Sequence, residues 1–296
     1  QNRGSQPSTP VSLSKPDSDS ISQARRGSRG KIQDDEEIPL THKTGTVGIN
    51  LNKNLSPGEV NYPPNTASKN RSPSVVPAPK TRVMLSTQPD YINANWVRDH
   101  KGKKCYIATQ HPLHETVNDF WQMVWEQKAN IVVMVNDKQQ EKPAEFVDYL
   151  PKGEGSSKAF GSINVTVKQT TEKADYRLTV LSIADSKNVA SPREVSHFRF
   201  TSLKERAIPN VALFVGFVTA TRETRKKYGD TNVPTIVHCS DGLGFTGVYI
   251  AVDIGVKSHE ESKTSVVDVF ELSKNLRRDR HGIVCSLEHY NFIYQV

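Results

Sequence analysis

The spacing of hydrophobic residues changes along the chain, and regular patterns begin near Thr81. In the segment 114–127, large apolar side chains recur at helical intervals, which predicts an amphipathic helix. Those side chains are Val117, Phe120, Trp121, Val124 and Trp125. The apolar run Ile131–Val135 follows, and its length and β-branched residues are typical of a strand buried on both faces.

Further patterns continue this succession of strands and helices. Short strands are predicted over 82–85 and 91–97, and a pair of strands over 161–183, where apolar and polar residues alternate. Helices are predicted over 212–229, 245–258, 265–280 and 286–296. A strand over 234–240 leads into a glycine-rich turn just before the second of these helices. Strands flanked by helices indicate an α/β fold.

The first part of the chain lacks the large apolar side chains that a folded core requires. Residues 1–38 are rich in Ser, Gly, Arg, Asp and Gln, so we expect a disordered tail. Ser28 follows Arg25 and Arg26, a pattern of basic-directed kinase substrates and, more commonly, of a solvated basic patch. Residues 39–68 are rich in Pro, Asn and Ser, which predicts an extended lead-in to a folded domain over 69–296.

The charge of the chain restricts its partners. Its 296 residues carry a net charge of +7 at pH 7, which favours acidic or phosphorylated partners. The basic residues are scattered without interleaved aromatic residues, which argues against nucleic-acid binding. The basic run 275–281 is interpreted as a solvated helix face, whose Arg277, Arg278 and Arg280 are available to an acidic partner.

Cysteine usage and hydropathy indicate the compartment. Three widely spaced cysteines favour a reducing, cytoplasmic environment, and they form no motif that suggests zinc. We expect no metal or organic cofactor. No run approaches the roughly 20 apolar residues of a membrane span. Because the chain starts at Gln1 and stops within an apolar pattern, we expect a fragment of a longer protein, in which a membrane anchor elsewhere stays open.

The motif with the clearest chemistry is Ile236–Gly247, IVHCSDGLGFTG. A strand, a glycine-rich turn and a helix N-terminus bring backbone N–H groups around one point, where the helix dipole also favours an anion. The same field is expected to lower the pKa of Cys239 and make it a nucleophile, with His238 orienting its loop. A buried cysteine at a tight turn is the simpler, less favoured interpretation.

Over about residues 69–296 the chain resembles the phosphotyrosine-specific protein phosphatase domain. The turn is similar to that family's H-C-S-A-G-x-G-R-[ST]-G loop, and residues 106–127 are similar to F-I-A-T-Q-G-P-L-x-x-T-x-x-D-F-W-x-M-V-W-E. Further matches lie at 69–85, 90–97, 197–209 and 276–294. The resemblance implies a twisted mixed β-sheet flanked by helices. It also implies a pocket around Cys239, lined in the loop by His238, Ser240, Asp241, Gly242, Leu243, Gly244, Thr246 and Gly247.

This chain departs from the family pattern mainly at the positions that bind phosphate and carry out catalysis in the family. Phe245 stands in place of the loop arginine, which in the family binds phosphate through two hydrogen bonds and stabilises the transition state. Asp241 stands in place of a small alanine, and its carboxylate is expected to repel phosphate. Glu205 falls on the general-acid aspartate and Leu203 on the tryptophan of the same loop, so we expect impaired loop closure.

Four other positions around the implied pocket also differ. Ser72 stands in place of the tyrosine that stacks on phosphotyrosine, and Glu145 in place of a lysine. Cys285 replaces the glutamine that positions the hydrolytic water, and His289 replaces the next glutamine. All these substitutions together lead us to expect a pseudophosphatase, which keeps the fold and lacks efficient turnover.

The expected function is signalling by binding, as a scaffold or regulator, with a tyrosine-phosphorylated protein or a kinase as partner. One version captures and shields a phosphotyrosine segment, and the other binds an unphosphorylated surface. The alternative function is a weakly active or altered-specificity tyrosine phosphatase, with Cys239 as nucleophile and Glu205 as acid. A third, less favoured hypothesis is a reversible disulfide between Cys239 and Cys285, which the implied fold brings near each other.

Overall fold

The computed structural model describes residues 63–136, 146–187, 191–203, 208–229, 232–262 and 266–296, together with the backbone of 37–42 and 45–50. The two backbone segments are strands β1 (Glu37–His42) and β2 (Gly45–Asn50), which pair antiparallel. Ser28 and nearly all of the predicted tail lie outside the described residues. The domain boundaries stay predictions.

Nine further strands form one mixed sheet. They are β3 (Arg82–Met84), β4 (Tyr91–Arg98), β5 (Lys104–Gln110), β6 (Ile131–Val135), β7 (Ser157–Phe160), β8 (Ile163–Glu172), β9 (Tyr176–Asp185), β10 (Arg193–Phe200) and β11 (Thr235–Cys239). Their order is β3-β4-β5-β11-β6-β10-β9-β8-β7. The neighbours β5, β11, β6 and β10 run parallel, and the outer strands on either side pair antiparallel.

Five α-helices accompany this sheet within the described ranges. They are α1 (Val117–Glu126), α2 (Val211–Lys227), α3 (Gly244–Ser262), α4 (Val269–Asp279) and α5 (Leu287–Gln295). Asn210 caps the N-terminus of α2, Asp268 that of α4 and Ser286 that of α5, and in each case the side chain accepts a hydrogen bond from a backbone N–H of the first turn. None of the helices in the described ranges is long and apolar enough to span a membrane.

The sheet is buried on both faces, because a separate hydrophobic cluster covers each. One cluster contains Phe217 of α2, Tyr249 of α3 and Phe292 of α5, and the other contains Phe120 and Trp121 of α1. Neighbouring residues of β11 join opposite clusters, which is why its sequence is apolar almost throughout. The predicted α/β fold, with a mixed sheet flanked by helices, is confirmed.

Candidate functional site

The cysteine loop, residues 238–247, lies at the carboxyl end of the central strand β11. The strand ends at Cys239 and α3 begins at Gly244, which confirms the predicted order of strand, turn and helix. In α/β sheets ligands bind at this edge, where parallel strands end. The loop is tied to the end of β5, because the His111 N–H donates to the Ser240 carbonyl at 3.0 Å. Cys239 itself is only 3% exposed.

Glycines let the cysteine loop approach its neighbours closely. Gly242 has a φ of +76°, and a Cβ at this position would lie 2.4 Å from the carbonyl oxygen of Thr109. A Cβ on Gly247 would lie 2.7 Å from the backbone nitrogen of Val284. The family glycines are therefore explained in this chain by packing of the loop against β5 and against the segment after α4.

The carboxylate of Asp241 lies against its own loop. Its Oδ1 accepts a hydrogen bond from the Leu243 backbone N–H at 2.8 Å and another from the Cys239 thiol at 3.3 Å. An external anion in such a loop is held by backbone N–H groups of this kind. The Asp241 carboxylate thus accepts a hydrogen bond from the Leu243 N–H, a donor that a bound phosphate would use.

The thiol of Cys239 is held in its protonated form. Burial raises its pKa to about 11, and the negative charge of Asp241 adds to this rise. The side chain and backbone of Thr246 lower the pKa without offsetting these two causes. The lowered pKa expected for Cys239 is therefore wrong, because burial and the Asp241 carboxylate outweigh the hydrogen bonds from Thr246.

Arg280, which directly follows α4, stabilises the loop from beneath its carbonyl groups. The buried guanidinium donates to the carbonyls of Gly242 at 2.9 Å and Asp241 at 3.0 Å. It also donates to the side-chain oxygens of Asn93 and Asn95 in β4, both at 2.9 Å. Its expected place on a solvated helix face is wrong, because four oxygen acceptors surround it in the interior.

The other two basic residues of the run 275–281 divide between interior and surface. Arg277 is half-buried and donates to the Val284 carbonyl at 2.6 Å. Arg278 is exposed, as predicted, and donates to Asn275 Oδ1 at 2.8 Å. Of the three arginines, Arg278 is the one exposed at the surface, where a partner can reach it, and the other two bond to backbone carbonyls inside the domain.

Phe245, His289 and Cys285 meet beside the cysteine loop. The rings of Phe245 and His289 pack edge to face with centroids 4.8 Å apart. A Cβ on Gly244 would lie 2.8 Å from the His289 ring and 3.4 Å from the Cys285 sulfur, so both side chains lie against the start of α3. Burial raises the pKa of Cys285 to about 12, and all three cysteines of the chain are free thiols. Phe245 offers no donor to an anion at this place.

Ser72 lies in a segment that docks at the end of β5. The N–H of the preceding Arg71 donates to Gln110 Oε1 at 2.9 Å, and Gln110 pairs with Cys239 across the parallel strands. The Ser72 hydroxyl lies 2.9 Å from that of Ser74. Ser72 therefore comes near the loop, and it provides no ring to stack on an aromatic ligand.

The predicted general-acid loop is described only at its start. Leu203, in place of the family tryptophan, is buried in the core cluster that contains α2. Glu205 and Glu145 both lie outside the described residues. Their expected places at the pocket stay predictions.

A buried cluster of histidines adjoins the loop, and the sequence interpretation missed it. The Tyr149 hydroxyl lies 2.6 Å from Nε2 of His238 and 2.6 Å from Nε2 of His197. His111, which replaces a family glycine, stacks on Phe146 with ring centroids 3.9 Å apart. Burial lowers the pKa of His111 and of His197 to about 3 and that of His238 well below its usual value, so all three are neutral.

The strand sequences carry a signal for only part of this cluster. His238 lies within the apolar run of β11, so burial of its ring follows from that strand. His197 lies between Ser196 and Phe198 in β10, whose mixed sequence gives no such signal. The residues that the structure describes contain no group of three or more His, Cys, Asp or Glu side chains placed to hold a metal ion.

Comparison with known proteins identifies sequences to which this chain is similar. The family model for protein-tyrosine phosphatase matches residues 66–296. Human tyrosine-protein phosphatase non-receptor type 5 is 35% identical over 241 residues, which are 79% of this chain and 41% of that protein. Receptor-type tyrosine-protein phosphatase R of Mus musculus is 34% identical over 247 residues, 81% of this chain and 36% of that protein. Human receptor-type tyrosine-protein phosphatase C is 34% identical over 237 residues, 78% of this chain and 18% of that protein.

The chain thus spans less than half the length of each of these relatives. The matched range contains the whole nine-stranded sheet, all five helices and the cysteine loop. Fold, loop and sequence agree, and the chain belongs to the protein-tyrosine phosphatase family.

Proposed function

We propose that this domain is a pseudophosphatase, a binding module in signalling that keeps the phosphatase fold without efficient turnover. The observation that carries the proposal is the contact of Asp241 with its own loop. Its carboxylate accepts hydrogen bonds from the Leu243 N–H and the Cys239 thiol, so that a negative charge already lies beside the anion-binding turn. A phosphate group would meet like charge there.

The missing arginine supports the same proposal. Phe245 packs on His289 and provides neither charge nor hydrogen bond to a transition state. Removing one preorganised donor of this kind typically raises a barrier by about 2.7–4 kcal/mol, a factor of about 10²–10³. Two independent features, a repelling carboxylate and a lost donor, thus act against turnover.

The state of the thiol is a third support. Because burial and Asp241 raise the pKa of Cys239 to about 11, the protonated thiol predominates at pH 7. The thiol, unlike the thiolate, is a poor nucleophile. The alternative of a weakly active phosphatase requires Cys239 to ionise on substrate binding and Glu205 to reach the leaving group.

The partner is proposed on charge and on the inherited pocket. A net charge of +7 favours an acidic or tyrosine-phosphorylated protein as partner. We include a kinase among the proposed partners. The contact of Asp241 favours binding that does not depend on phosphate over capture of phosphotyrosine. Because all three cysteines are free thiols, we place the domain in a reducing compartment, the cytoplasm.

A paired assay on the purified chain tests the proposal. Turnover of an aryl phosphate should equal that of a Cys239→Ser variant, and a phosphotyrosine peptide and its unphosphorylated twin are compared for binding. Turnover above the Cys239→Ser control would overturn the proposal in favour of the phosphatase, with Glu205→Gln as the next variant. Phosphate-dependent binding without turnover would identify a phosphotyrosine trap, and equal binding would move the search to the surface.

A further inference from the structure

A second concave surface lies where the end of α4 meets β4 and β5. It is a groove of about 850 Å³, which we call the basic groove. The described residues that line it are Ala78, Pro79, Lys80, Thr81, Trp96, Arg98, Lys104, Arg278 and His281. None of them belongs to the cysteine loop, so the groove is a surface separate from the site described above.

The basic groove is strongly positive. Lys80, Arg98, Lys104 and Arg278 are exposed along it, and none of its described lining residues carries a carboxylate. The buried carboxylate of Asp279 accepts from the Arg98 backbone N–H at 2.9 Å and from its Nε at 3.0 Å. This carboxylate offsets the charge of Arg98, and the other three cations face solvent. Such a concentration of one sign of charge in a concave surface attracts anionic groups.

The indole of Trp96 gives the basic groove an apolar wall. Trp96 is partly exposed, and the ammonium group of Lys104 lies 5.6 Å from the centroid of its ring. The exposed ring of Pro79 lines the same groove. Aromatic and arginine side chains around a concave surface are typical of peptide-binding sites, where the apolar contact contributes affinity and the charges contribute specificity.

We infer that the basic groove binds an acidic peptide segment of a partner protein. The carboxylates of the peptide pair with Lys80, Lys104 and Arg278 of the groove, and an apolar side chain of the peptide packs against Trp96. A single-stranded nucleic acid needs a series of stacking aromatic residues, and Trp96 is the one aromatic residue, apart from a histidine, among the described groove residues. A lipid surface is flat, whereas these cations line a concave groove. The inference is independent of phosphate chemistry at Cys239.

The test measures fluorescence anisotropy of a labelled peptide that carries glutamates around one phenylalanine, titrated with the full chain. We expect binding that weakens with salt, and loss of binding by the twin peptide with glutamine in place of glutamate. The double variant Lys80→Glu with Arg278→Glu should weaken binding by about tenfold or more. The matched control is Lys152→Glu with Lys168→Glu, which makes the same change of net charge at exposed residues outside the groove.

Several results would overturn the inference. One is equal binding of the glutamate and glutamine peptides, and another is an equal loss of affinity in the control variant. A third is tighter binding of a single-stranded oligonucleotide or of phosphatidylserine vesicles through Lys80 and Arg278. The variant Asp241→Ala should keep its affinity for the acidic peptide, which separates this groove from the cysteine loop. Thermal unfolding of each variant verifies that the fold is intact.

Discussion

A single carboxylate changes the chemistry of the cysteine loop. Asp241 lies two positions after Cys239 and bonds to both the thiol and the Leu243 N–H. Where a small side chain would leave the turn open to a ligand, Asp241 supplies an internal anion. The raised pKa of Cys239 follows from burial first and from this carboxylate second.

The first prediction concerns the effect of the Asp241 carboxylate on the pKa of Cys239. Asp241→Ala should lower the pKa of Cys239, because it removes a negative charge beside the thiolate while burial persists. At pH 8 we expect iodoacetamide to modify Cys239 about tenfold faster, which corresponds to about one pKa unit. Mass spectrometry distinguishes the Cys239 peptide from those that contain Cys105 and Cys285.

Asp148→Ala is the control for this experiment, because Asp148 is an exposed aspartate whose carboxylate pairs with Lys152 at the surface. It should leave the alkylation rate of Cys239 unchanged. If Asp241→Ala also leaves the rate unchanged, the carboxylate does not control the thiol, and the main support for the pseudophosphatase proposal is lost.

Among the structural elements, the turn between β11 and α3 depends most on backbone geometry. Gly242 and Gly102 have nearly the same φ, +76° and +79°, and they differ in their surroundings. A Cβ on Gly242 would lie 2.4 Å from the Thr109 carbonyl oxygen, whereas a Cβ on Gly102 would meet no atom within 4 Å. Substitution of Gly102 therefore tests conformational strain alone, whereas substitution of Gly242 tests strain together with close packing.

The second prediction follows from that comparison. Gly102→Ala should lower the free energy of unfolding by about 1 kcal/mol, the cost of a positive φ with a side chain. Gly242→Ala should lower it by about 3 kcal/mol or more, because the backbone of β5 must also move. Urea unfolding at equilibrium measures both values. An equal loss in the two variants would contradict the close approach of the loop to Thr109.

Most elements could be predicted from their hydrophobic patterns, and the failures have physical causes. The helix pattern around Trp121 and the alternation in β8 and β9 reflect one-sided burial, which a sequence displays directly. β10 carries Arg193, Ser196 and His197 in a strand that is largely buried. Its polar residues find partners inside the protein, and a single sequence does not display such partners.

The residues of the site that belong to the sequence motif could be predicted. The residues that tertiary contacts bring to the loop could not. The motif around Cys239 located the turn, and the family resemblance located Phe245 and His289 beside it. Arg280 looked like one more residue of a basic run. Its role depends on Asn93 and Asn95, which lie far away in the chain. The direction of the Cys239 pKa depended on burial, which the motif does not specify.

At the scale of the whole molecule, the neutral histidines of the interior couple stability to pH. His111, His197 and His238 pack around Tyr149. The positive charge of Arg199 further lowers the pKa of all three rings, and that of Arg71 lowers the pKa of His111. The unfolded chain binds protons on these residues near pH 6.5, whereas the folded chain does not. Their neutral state thus stabilises the fold fully above pH 6.5, and this contribution is lost as the pH falls toward 3.

The third prediction is a loss of stability on mild acidification. Between pH 7 and pH 5.5 each of the three histidines should cost about 1 kcal/mol of unfolding free energy. Urea unfolding at a series of pH values measures this slope. His111→Phe, which keeps an aromatic ring against Phe146, should reduce the slope by about one proton. A stability that is constant over this range would show that the rings are charged or solvated in the folded protein.

The bonds of Arg280 also set an order of events during synthesis. Its partner Asn93 precedes it by 187 residues, so the support beneath the cysteine loop joins opposite ends of the domain. Contacts between such distant residues form late in folding. On the ribosome the chain emerges from its N-terminus, and domains fold as units. The segment that contains Cys239 therefore leaves the ribosome before Arg280, and we expect the nascent thiol to stay accessible to oxidants and to chaperones until Arg280 has emerged.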